Sequence, residues 1–448
     1  MNFEKMYFEG SYKEKALMLL KDLISFPSFL TEYKEGSSEP FGKANKDILE
    51  YMLKYAKEDG FDTVNADNYA GHIEYGTGDL LGILCHLDVV PVDNREWKTE
   101  PFTLTLKDNK LYGRGVMDDK GPFVASYIAL KMLQDEGFYP SMKVRLIFGC
   151  DEESGSRCLE HYFKHFEKPR LGFSPDAEFP LINGEKGMES YNVNVSDDVI
   201  VEFESGLRYN MVPSLAKAKL NVNLDKEFKD YIKANKIDGE IVDGYYQVKG
   251  LAAHAMCPQN GVNAAYLLFD FINKYTDSKL AAFVSKYYVG DVNGKKLGYY
   301  DYDEEMKELT SNFAVVHISG GKGYFGVNCR VPKNSDFALI EEKVKEAIKE
   351  YGYTLDVLNT SERHYVDSSS KLVKTLMKVY QRTTGDMKNP PFTIGGGTYA
   401  REIEGAVAFG PLFPGREDVC HIANEYMYLD DFDKLVEIYY NAIKEITK

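Results

Sequence analysis

Histidine and acidic residues of the kind that bind metal ions are scattered through the chain, in short segments that end or follow predicted strands. They are His86 and Asp88, Asp118 and Asp119, Glu152 and Glu153, Asp176, and His421. Imidazole nitrogen together with carboxylate oxygen is a ligand set for zinc, manganese or cobalt. The carboxylates are too numerous for one tetrahedral ion, so the set predicts the site of a two-metal hydrolase.

Each segment has a simpler interpretation when it is taken alone. His86 could be a buried histidine beside a loop aspartate, and Asp118 and Asp119 could cap the helix that follows them. Glu152 and Glu153 could belong to a solvated loop, although three consecutive acids after buried residues are costly without positive charge nearby. Because adjacent side chains of an extended segment point apart, one glutamate could bind metal while the other accepts a proton.

The segment IGGGTYAR, residues 394–401, is rich in glycine and leads into a predicted helix. A nucleotide-binding loop is one interpretation, but the segment lacks both the spacing and the lysine of a P-loop. Backbone N–H groups at the start of a helix bind carboxylates as readily as phosphates. The segment therefore predicts an anion site without identifying the anion.

Composition limits the functional classes. The chain has 448 residues and a formal net charge of −16, which argues against nucleic-acid binding because that requires a basic surface. No apolar run reaches the roughly 18 residues that span a bilayer, and we expect neither a membrane segment nor a secretory leader. The cysteines include no C-x-x-C pair and are more typical of free thiols, so we expect a cytoplasmic protein. They are Cys85, Cys150, Cys158, Cys257, Cys329 and Cys420.

Predicted strands and helices alternate through residues 1–186 and again through residues 365–448, which indicates an α/β domain with a mainly parallel sheet flanked by helices. Sites in such sheets form outside the carboxyl ends of the strands. Four of the candidate residues lie at or just after predicted strand ends: His86, Glu152, Glu153 and Asp176. Residues 187–364 instead carry the pattern of an α+β segment, so we predict a discontinuous first domain with an inserted second one.

In chain order, the segments HLDVVP, GRGVMDDKGP, DEESG and SPDAEFP and the late His421 resemble the M20 metallopeptidase family over nearly the whole chain. The enlarged insert and the segments GLAAHAM, NCRVP and IGGGTYAR are similar to those of the PepV-like and Sapep-like bacterial dipeptidases. The resemblance implies a di-metal aminopeptidase-like catalytic domain with an inserted lid domain. It also implies a metal-dependent dipeptidase that acts on dipeptides with a free N-terminus.

The resemblance assigns a metal ligand to each matching position. His86 and Asp176 would bind one of two divalent metal ions. Glu153 and His421 would bind the other, and Asp118 would bridge the two. Zinc and manganese are the expected ions, with cobalt as a further option.

The same resemblance assigns the remaining residues of the first domain. Asp88 would orient the imidazole of His86, as a hydrogen-bonded partner of a metal ligand does. The peptide bond between Asp118 and Asp119 would be cis. Glu152 would be the general base, taking a proton from water held between the metals and passing it to the leaving amine.

The resemblance implies that the inserted domain supplies substrate contacts. His254 would donate a hydrogen bond to the tetrahedral oxyanion. The C-terminal carboxylate of the dipeptide would be held by Arg330, Asn210 and the backbone of Gly395, Gly396, Gly397 and Thr398. Because the enlarged insert resembles lids that supply the histidine within one chain, we expect a monomer.

Three other functions remain open at this point. An M20-type deacylase of N-acyl amino acids would use the same metals and base but a substrate without a free α-amine. A binding protein could retain the scaffold without turnover, although every catalytic position is filled. A nucleotide enzyme would depend on the glycine-rich segment alone.

Overall fold

The computed structural model describes residues 3–448, which form two compact units. The first contains residues 3–183, Tyr365–Phe392 and Gly397–Lys448, and the second contains Gly184–His364 and Thr393–Gly396. The domain boundaries predicted from the sequence were 186/187 and 364/365. The pattern did not indicate that Thr393–Gly396 groups with the second unit, which divides the glycine-rich segment between the two.

The described residues form helices and strands that alternate through much of the chain. The helices are α1 (Phe3–Tyr7), α2 (Tyr12–Ile24), α3 (Lys43–Glu58), α4 (Lys120–Asp135), α5 (Arg157–His165), α6 (Asp225–Asn235), α7 (Ala264–Tyr275), α8 (Lys279–Tyr287), α9 (Phe337–Lys349), α10 (Lys371–Thr384) and α11 (Leu429–Ile446). The strands are β1 (Asp62–Ala66), β2 (Ala70–Tyr75), β3 (Leu80–His86), β4 (Thr105–Lys107), β5 (Lys110–Tyr112), β6 (Lys143–Gly149), β7 (Leu171–Ser174), β8 (Ala177–Glu178), β9 (Ile182–Glu185), β10 (Gly187–Ser196), β11 (Ile200–Ser205), β12 (Leu215–Leu220), β13 (Gly239–Val242), β14 (Tyr245–Lys249), β15 (Tyr302–Asp303), β16 (Lys307–Glu308), β17 (Thr310–Ser319), β18 (Lys322–Val331), β19 (Thr354–Ser361), β20 (His364–Tyr365), β21 (Phe392–Ile394), β22 (Gly405–Ala408), β23 (Pro411–Leu412) and β24 (Tyr426–Tyr428). Short 3-10 helices span Asn94–Glu96, Pro258–Asn260 and Tyr399–Glu402.

The centre of the first unit is a sheet in which β6, β3, β7 and β22 run parallel to one another. Strands β2 and β1 extend it with antiparallel pairing beside β6. Strand β3 is an almost continuous apolar run because both faces of a central parallel strand are buried. The predicted α/β class with a mainly parallel central sheet is confirmed.

Helix α4 is apolar on nearly every side. It packs against β3, β6, α2 and α11, and its residues are buried along most of its length. A helix enclosed in this way loses the polar face that a surface helix keeps. Gly137, with φ of +76°, lies just beyond its last turn, a position at which glycine commonly ends a helix.

The second unit is built on an antiparallel sheet in the order β13-β14-β12-β11-β17-β18-β10-β19. Strands β17 and β18 form a hairpin around Gly320 and Gly321, both with positive φ. Helices α7, α8 and α9 bury aromatic and aliphatic side chains in the core of this unit. Along β12, exposed and buried residues alternate, as they do in a strand with one face on a core.

Two expectations from composition can be compared with the described residues. Between residues 3 and 448, no helix has the length and apolarity needed to cross a membrane. The six cysteines all fall within this range and are free thiols.

Candidate metal centre

The parallel sheet brings three candidate ligands to one edge. His86 is the last residue of β3 and pairs in register with Gly149, the last residue of β6. Glu153 follows β6, and Asp176 follows the neighbouring strand β7. Since carboxyl ends of adjacent parallel strands lie at the same edge, strand order alone accounts for this grouping.

Two ligand sets form there, and they share one residue. The first consists of His86, Asp118 and Asp176, and the second of Asp118, Glu153 and His421. Within each set, the candidate ligand atoms all lie within 4.8 Å of one another. The five candidate residues are grouped here in the same two sets that the family resemblance implied.

Asp118 lies between two imidazoles. Its Oδ1 is 2.8 Å from Nε2 of His86, and its Oδ2 is 2.8 Å from Nε2 of His421. His86 Nε2 is also 3.5 Å from Asp176, and His421 Nε2 is 3.0 Å from Glu153. A carboxylate with one oxygen directed at each set can bridge two cations.

Electrostatics within the sets show a deficit of positive charge. Burial, and then the charge of Asp118, raise the pKa of Glu153 to about 7, and the same causes raise the pKa of Asp176. Burial opposes the charged form of Asp118 as well, but hydrogen bonds from His421 and His86 lower its pKa. Oε1 of Glu153 is buried without a hydrogen-bond partner among the described residues. Divalent cations would satisfy that oxygen and relieve the repulsion, so the donor set fits them.

The pKa values of the two histidines are raised as well, but for an imidazole a raised pKa favours the charged form. Hydrogen bonds to Asp118 and Glu153 raise the pKa of His421 to about 11. Burial disfavours the charged form of His86, yet hydrogen bonds to carboxylates, of which Asp118 is the largest contributor, raise its pKa. Both shifts favour the protonated ring, whereas an imidazole that binds a metal ion must be neutral.

Asp88 contacts the ring of His86 most closely through its backbone carbonyl, not through the carboxylate that was predicted to orient the ring. Nδ1 of His86 is 2.9 Å from the backbone carbonyl oxygen of Asp88 and 3.5 Å from its carboxylate. The carboxylate instead accepts hydrogen bonds from the backbone N–H groups of Glu152 and Glu153, each at 3.1 Å. Because β3 ends at His86, Asp88 lies in the following loop, where its main chain rather than its side chain contacts the ring most closely. Asp88 thus connects the His86 segment to the segment of the candidate base.

The three consecutive acids that follow β6 lie in different environments. Asp151 is buried and holds Arg157 through paired hydrogen bonds of 2.7 Å, and it also accepts the backbone N–H of Arg157 at 3.1 Å. Glu152 has its pKa raised well above the ordinary value, first by burial and then by the charge of Asp176. Asp151 therefore anchors the start of α5, and Glu152 is the half-buried acid whose pKa responds to the ligand sets.

The peptide bond between Asp118 and Asp119 is cis. Asp119 precedes α4 without making a side-chain cap hydrogen bond. Its buried carboxylate accepts the backbone N–H of His86 at 3.0 Å. The side chain of Asp119 therefore does not cap α4. It holds the end of β3 instead.

Glu425 is a residue that the sequence did not single out. Its carboxylate is fully buried and accepts backbone N–H groups of Gly115, Met117 and Asp118 at 3.0, 2.8 and 3.2 Å. It also pairs with Arg114 at 2.7 Å. Glu425 thereby fixes the loop that leads to Asp118 from the same segment that carries His421. In the sequence, Glu425 is only an acid four residues after His421. That spacing alone does not indicate a structural role.

In the second unit, His254 and Asn210 are neighbours. The backbone carbonyl of Asn210 accepts the N–H of Ala255 at 2.9 Å, and Met211 forms a bridge with His254. Nδ1 of His254 accepts the N–H of Met256 at 3.2 Å, so in the neutral ring Nε2 carries the hydrogen. Burial and then the charge of Arg330 lower the pKa of His254. The lowered pKa favours the neutral ring, and in that form Nε2 is the donor.

Arg330 and Gly395 also meet within the second unit. Nη1 of Arg330 donates to the carbonyl oxygen of Gly395 at 2.8 Å, and its Nε donates to Asn328 at 2.8 Å. A Cβ at Gly395 would lie 2.6 Å from Cβ of Met256, which is two residues after His254. The predicted His254, Arg330 and Gly395 are thus associated in one region of this unit.

The remaining glycine-rich residues have separate environments. A Cβ on Gly396 would have its nearest neighbour at 3.5 Å, whereas one on Gly397 would lie 2.5 Å from the side chain of Arg401. Thr398 accepts the N–H of Ala400 at 3.1 Å and so caps the 3-10 helix Tyr399–Glu402. Gly397 and Thr398 belong to the first unit and Gly396 to the second.

Comparisons with known proteins agree with this geometry. The family model described as peptidase family M20/M25/M40 matches residues 82–445. The Bacillus subtilis (strain 168) protein named "Putative dipeptidase YtjP" is 38% identical over 458 residues, covering 97% of this chain and 98% of the relative.

Solved structures share the fold at low sequence identity. An M20 family metallo-carboxypeptidase from Sulfolobus solfataricus matches with a TM-score of 0.59 and 19% identity, covering 96% of this chain and 99% of the other. The Bacillus subtilis YXEP protein, described as a dinuclear metal binding peptidase from the M20 family, matches with a TM-score of 0.51 and 10% identity over 97% and 98% of the two chains. The chain therefore belongs to peptidase family M20/M25/M40 and is a hydrolase that acts on peptide bonds.

Proposed function

We propose that the protein is a metal-dependent dipeptidase that hydrolyses dipeptides with a free N-terminus. The observation that carries the proposal is the pair of ligand sets that share Asp118, each with one imidazole. Membership of a peptidase family and the dipeptidase name of the B. subtilis relative support the substrate class.

The proposed cofactor is two divalent ions, zinc or manganese, with cobalt as a further option. His86 and Asp176 would hold one ion, Glu153 and His421 the other, and Asp118 would contact both. The unpartnered Oε1 of Glu153 and the repulsion among the carboxylates support this assignment. Ions held there supply Lewis acidity, which polarises a scissile carbonyl and acidifies a water molecule.

Glu152 is the proposed general base. Its half-buried carboxyl has a raised pKa, which suits a group that takes a proton from the attacking water and later delivers it to the leaving amine. Asp88 would hold Glu152 in position through the backbone hydrogen bond already described. Asp88 therefore acts through the loop, as well as beside His86.

The second unit is the proposed lid domain, and the first is the proposed catalytic domain. His254 would donate from Nε2 to the oxyanion, a role that its neutral ring supports. Arg330 would pair with the C-terminal carboxylate of the substrate, with Asn210 and the segment from Gly395 to Thr398 as further contacts. These contacts would restrict hydrolysis to short peptides.

Oligomeric state and location are part of the proposal. We propose a monomer, because the enlarged insert is large enough to supply His254 within one chain. A light-scattering mass of twice the chain weight, with activity lost on dissociation, would contradict it. Six free thiols support a cytoplasmic location, because reducing compartments keep thiols unpaired.

The substrate experiment uses metal-free protein reloaded with manganese, zinc or cobalt and given a panel of dipeptides and their N-acetylated forms. We expect turnover of the free dipeptides. Preference for the acetylated forms would instead support the deacylase of N-acyl amino acids, whose metals and base would be the same.

The mechanistic experiment substitutes the base. Glu152→Ala should retain both metals and lose nearly all hydrolysis, because only proton transfer is removed. Glu160→Ala is the control, since Glu160 is an exposed glutamate on α5 that pairs with Lys164. Near-normal hydrolysis by Glu152→Ala with normal metal content would refute the base assignment.

A further inference from the structure

We propose a separate metal-binding site on the surface of the first unit, formed by Asp67, His161 and His165. One ligand atom from each residue lies within 4.8 Å of the others. This set shares no residue with the two ligand sets around Asp118. Two imidazoles and one carboxylate suit a borderline transition ion such as zinc, nickel or copper rather than calcium or magnesium.

The two histidines are presented by one helix. His161 and His165 are four residues apart on α5, so their side chains lie on the same face. Their ring centroids are 4.9 Å apart. Two imidazoles at this spacing can contact one ion without distortion of the helix.

The carboxylate comes from the tight turn between β1 and β2. Asp67 and Asn68 have φ of 53° and 62°, and the N–H of Tyr69 donates to the carbonyl of Ala66 at 2.9 Å, which closes the turn. Asn65 fixes it further by accepting the N–H of Asn68 at 2.8 Å. Asp67 is therefore held in position by its own backbone.

His161 is also held before any ion binds. Its ring stacks on Tyr69 at a centroid distance of 3.9 Å, and the hydroxyl of buried Tyr69 accepts the N–H of Gly36 at 3.0 Å. Its Nε2 is 3.0 Å from Oδ2 of Asp67. Ligands about 2.0–2.1 Å from a tetrahedral zinc are separated by about 3.3 Å, so little movement is needed to admit the ion.

The same imidazole–carboxylate contact occurs around Asp118, where the separations are 2.8 Å. The carboxylates differ in exposure: Asp118 is 12% exposed, whereas Asp67 is 73% exposed. Three protein ligands facing solvent leave further positions for water. Bound metal would connect the β1–β2 turn to the end of α5, the helix whose start is anchored by Asp151.

The experiment measures zinc per chain by equilibrium dialysis and elemental analysis. We expect His165→Gln to bind one zinc fewer than the unaltered protein, with zinc affinity at the altered site reduced at least about tenfold. Asp67→Asn provides a second test, because asparagine tolerates the left-handed backbone of residue 67. His317→Gln is the control, since His317 is an exposed histidine of the second unit that pairs with Glu204 and is not a member of this set.

Anomalous diffraction at the zinc edge should show a peak beside His161 that is lost in His165→Gln. Equal zinc content in the unaltered protein and His165→Gln, or no peak at this position, would overturn the proposal. Equal occupation by magnesium would overturn the assigned class of ion. Peptide hydrolysis with manganese should be unchanged in His165→Gln, so the result is independent of the proposed peptidase mechanism.

Discussion

Glu425→Gln tests whether a buried carboxylate maintains the loop that leads to Asp118. The side chain keeps its size, but one oxygen becomes an amide NH₂ that faces hydrogen-bond donors. Arg114, with its side chain 3% exposed, loses the charge that it pairs with at 2.7 Å. Removal of one partner from a buried ion pair costs about 3–5 kcal/mol, because the other charge stays buried.

That loss is large against the roughly 5–15 kcal/mol by which proteins are stable. We expect urea unfolding of the metal-free protein to show a decrease of about 3–5 kcal/mol in the free energy of unfolding. Because Asp118 N–H is one of the groups that Glu425 accepts, metal affinity should fall about 10–100-fold in a chelator competition.

The matched control is Glu417→Gln, an exposed glutamate in the segment before His421, which should change stability by less than about 0.5 kcal/mol. Adding Arg114→Met to Glu425→Gln should recover part of the loss, since no unpaired guanidinium then remains. A decrease below about 1 kcal/mol for Glu425→Gln, with normal metal affinity, would refute the reasoning.

Three further predictions test other parts of the chain. Burial, and then the charge of Arg145, lower the pKa of His72 from 6.5 to about 4, so the unfolded chain takes up a proton first as pH falls. Between pH 7 and 4, the protein should therefore lose about 3 kcal/mol more stability than His72→Gln in urea titrations, and equal losses would contradict this. Asp88→Asn leaves one acceptor oxygen for two backbone N–H groups. The variant should keep its metal content while kcat falls about tenfold or more. An unchanged kcat would show that Asp88 does not support the loop that carries Glu152. Gly395→Ala should raise KM for dipeptides several-fold, because its Cβ would clash with Met256. Gly396→Ala has room for a Cβ and should leave KM unchanged. Equal KM values for the two variants would count against a substrate contact at Gly395.

The positions of three candidate ligands, His86, Glu153 and Asp176, were predictable because they follow from strand order. Apolar runs ending at His86 and before Glu153 and Asp176 indicated parallel strands, and parallel strands end at the same edge. No distance information was needed for that step. The family resemblance then supplied the pairing of ligands, which spacing alone leaves open.

The supporting residues were less predictable, because their roles depend on loop conformation. Asp151, Glu152 and Glu153 are consecutive acids, and only the folded loop shows that Asp151 pairs with Arg157. Asp88 could contact His86 through its side chain or its carbonyl, and the end of β3 at His86 decided between them. Glu425 carries no periodic signal, since one buried acid in a loop resembles an exposed one.

Asp88, Asp119 and Glu425 share a structural role. Each is a buried carboxylate that accepts backbone N–H groups of a segment bearing a candidate ligand or base. Such bonds hold irregular loops in place, as a charged acceptor binds an N–H more strongly than a neutral one does. Burial raises the pKa of Asp119 and the pKa of Glu425, so it disfavours the charged forms that accept backbone N–H groups most strongly. The support of the loops and the need for cations are therefore linked, because divalent ions held nearby would favour the charged forms of these acids.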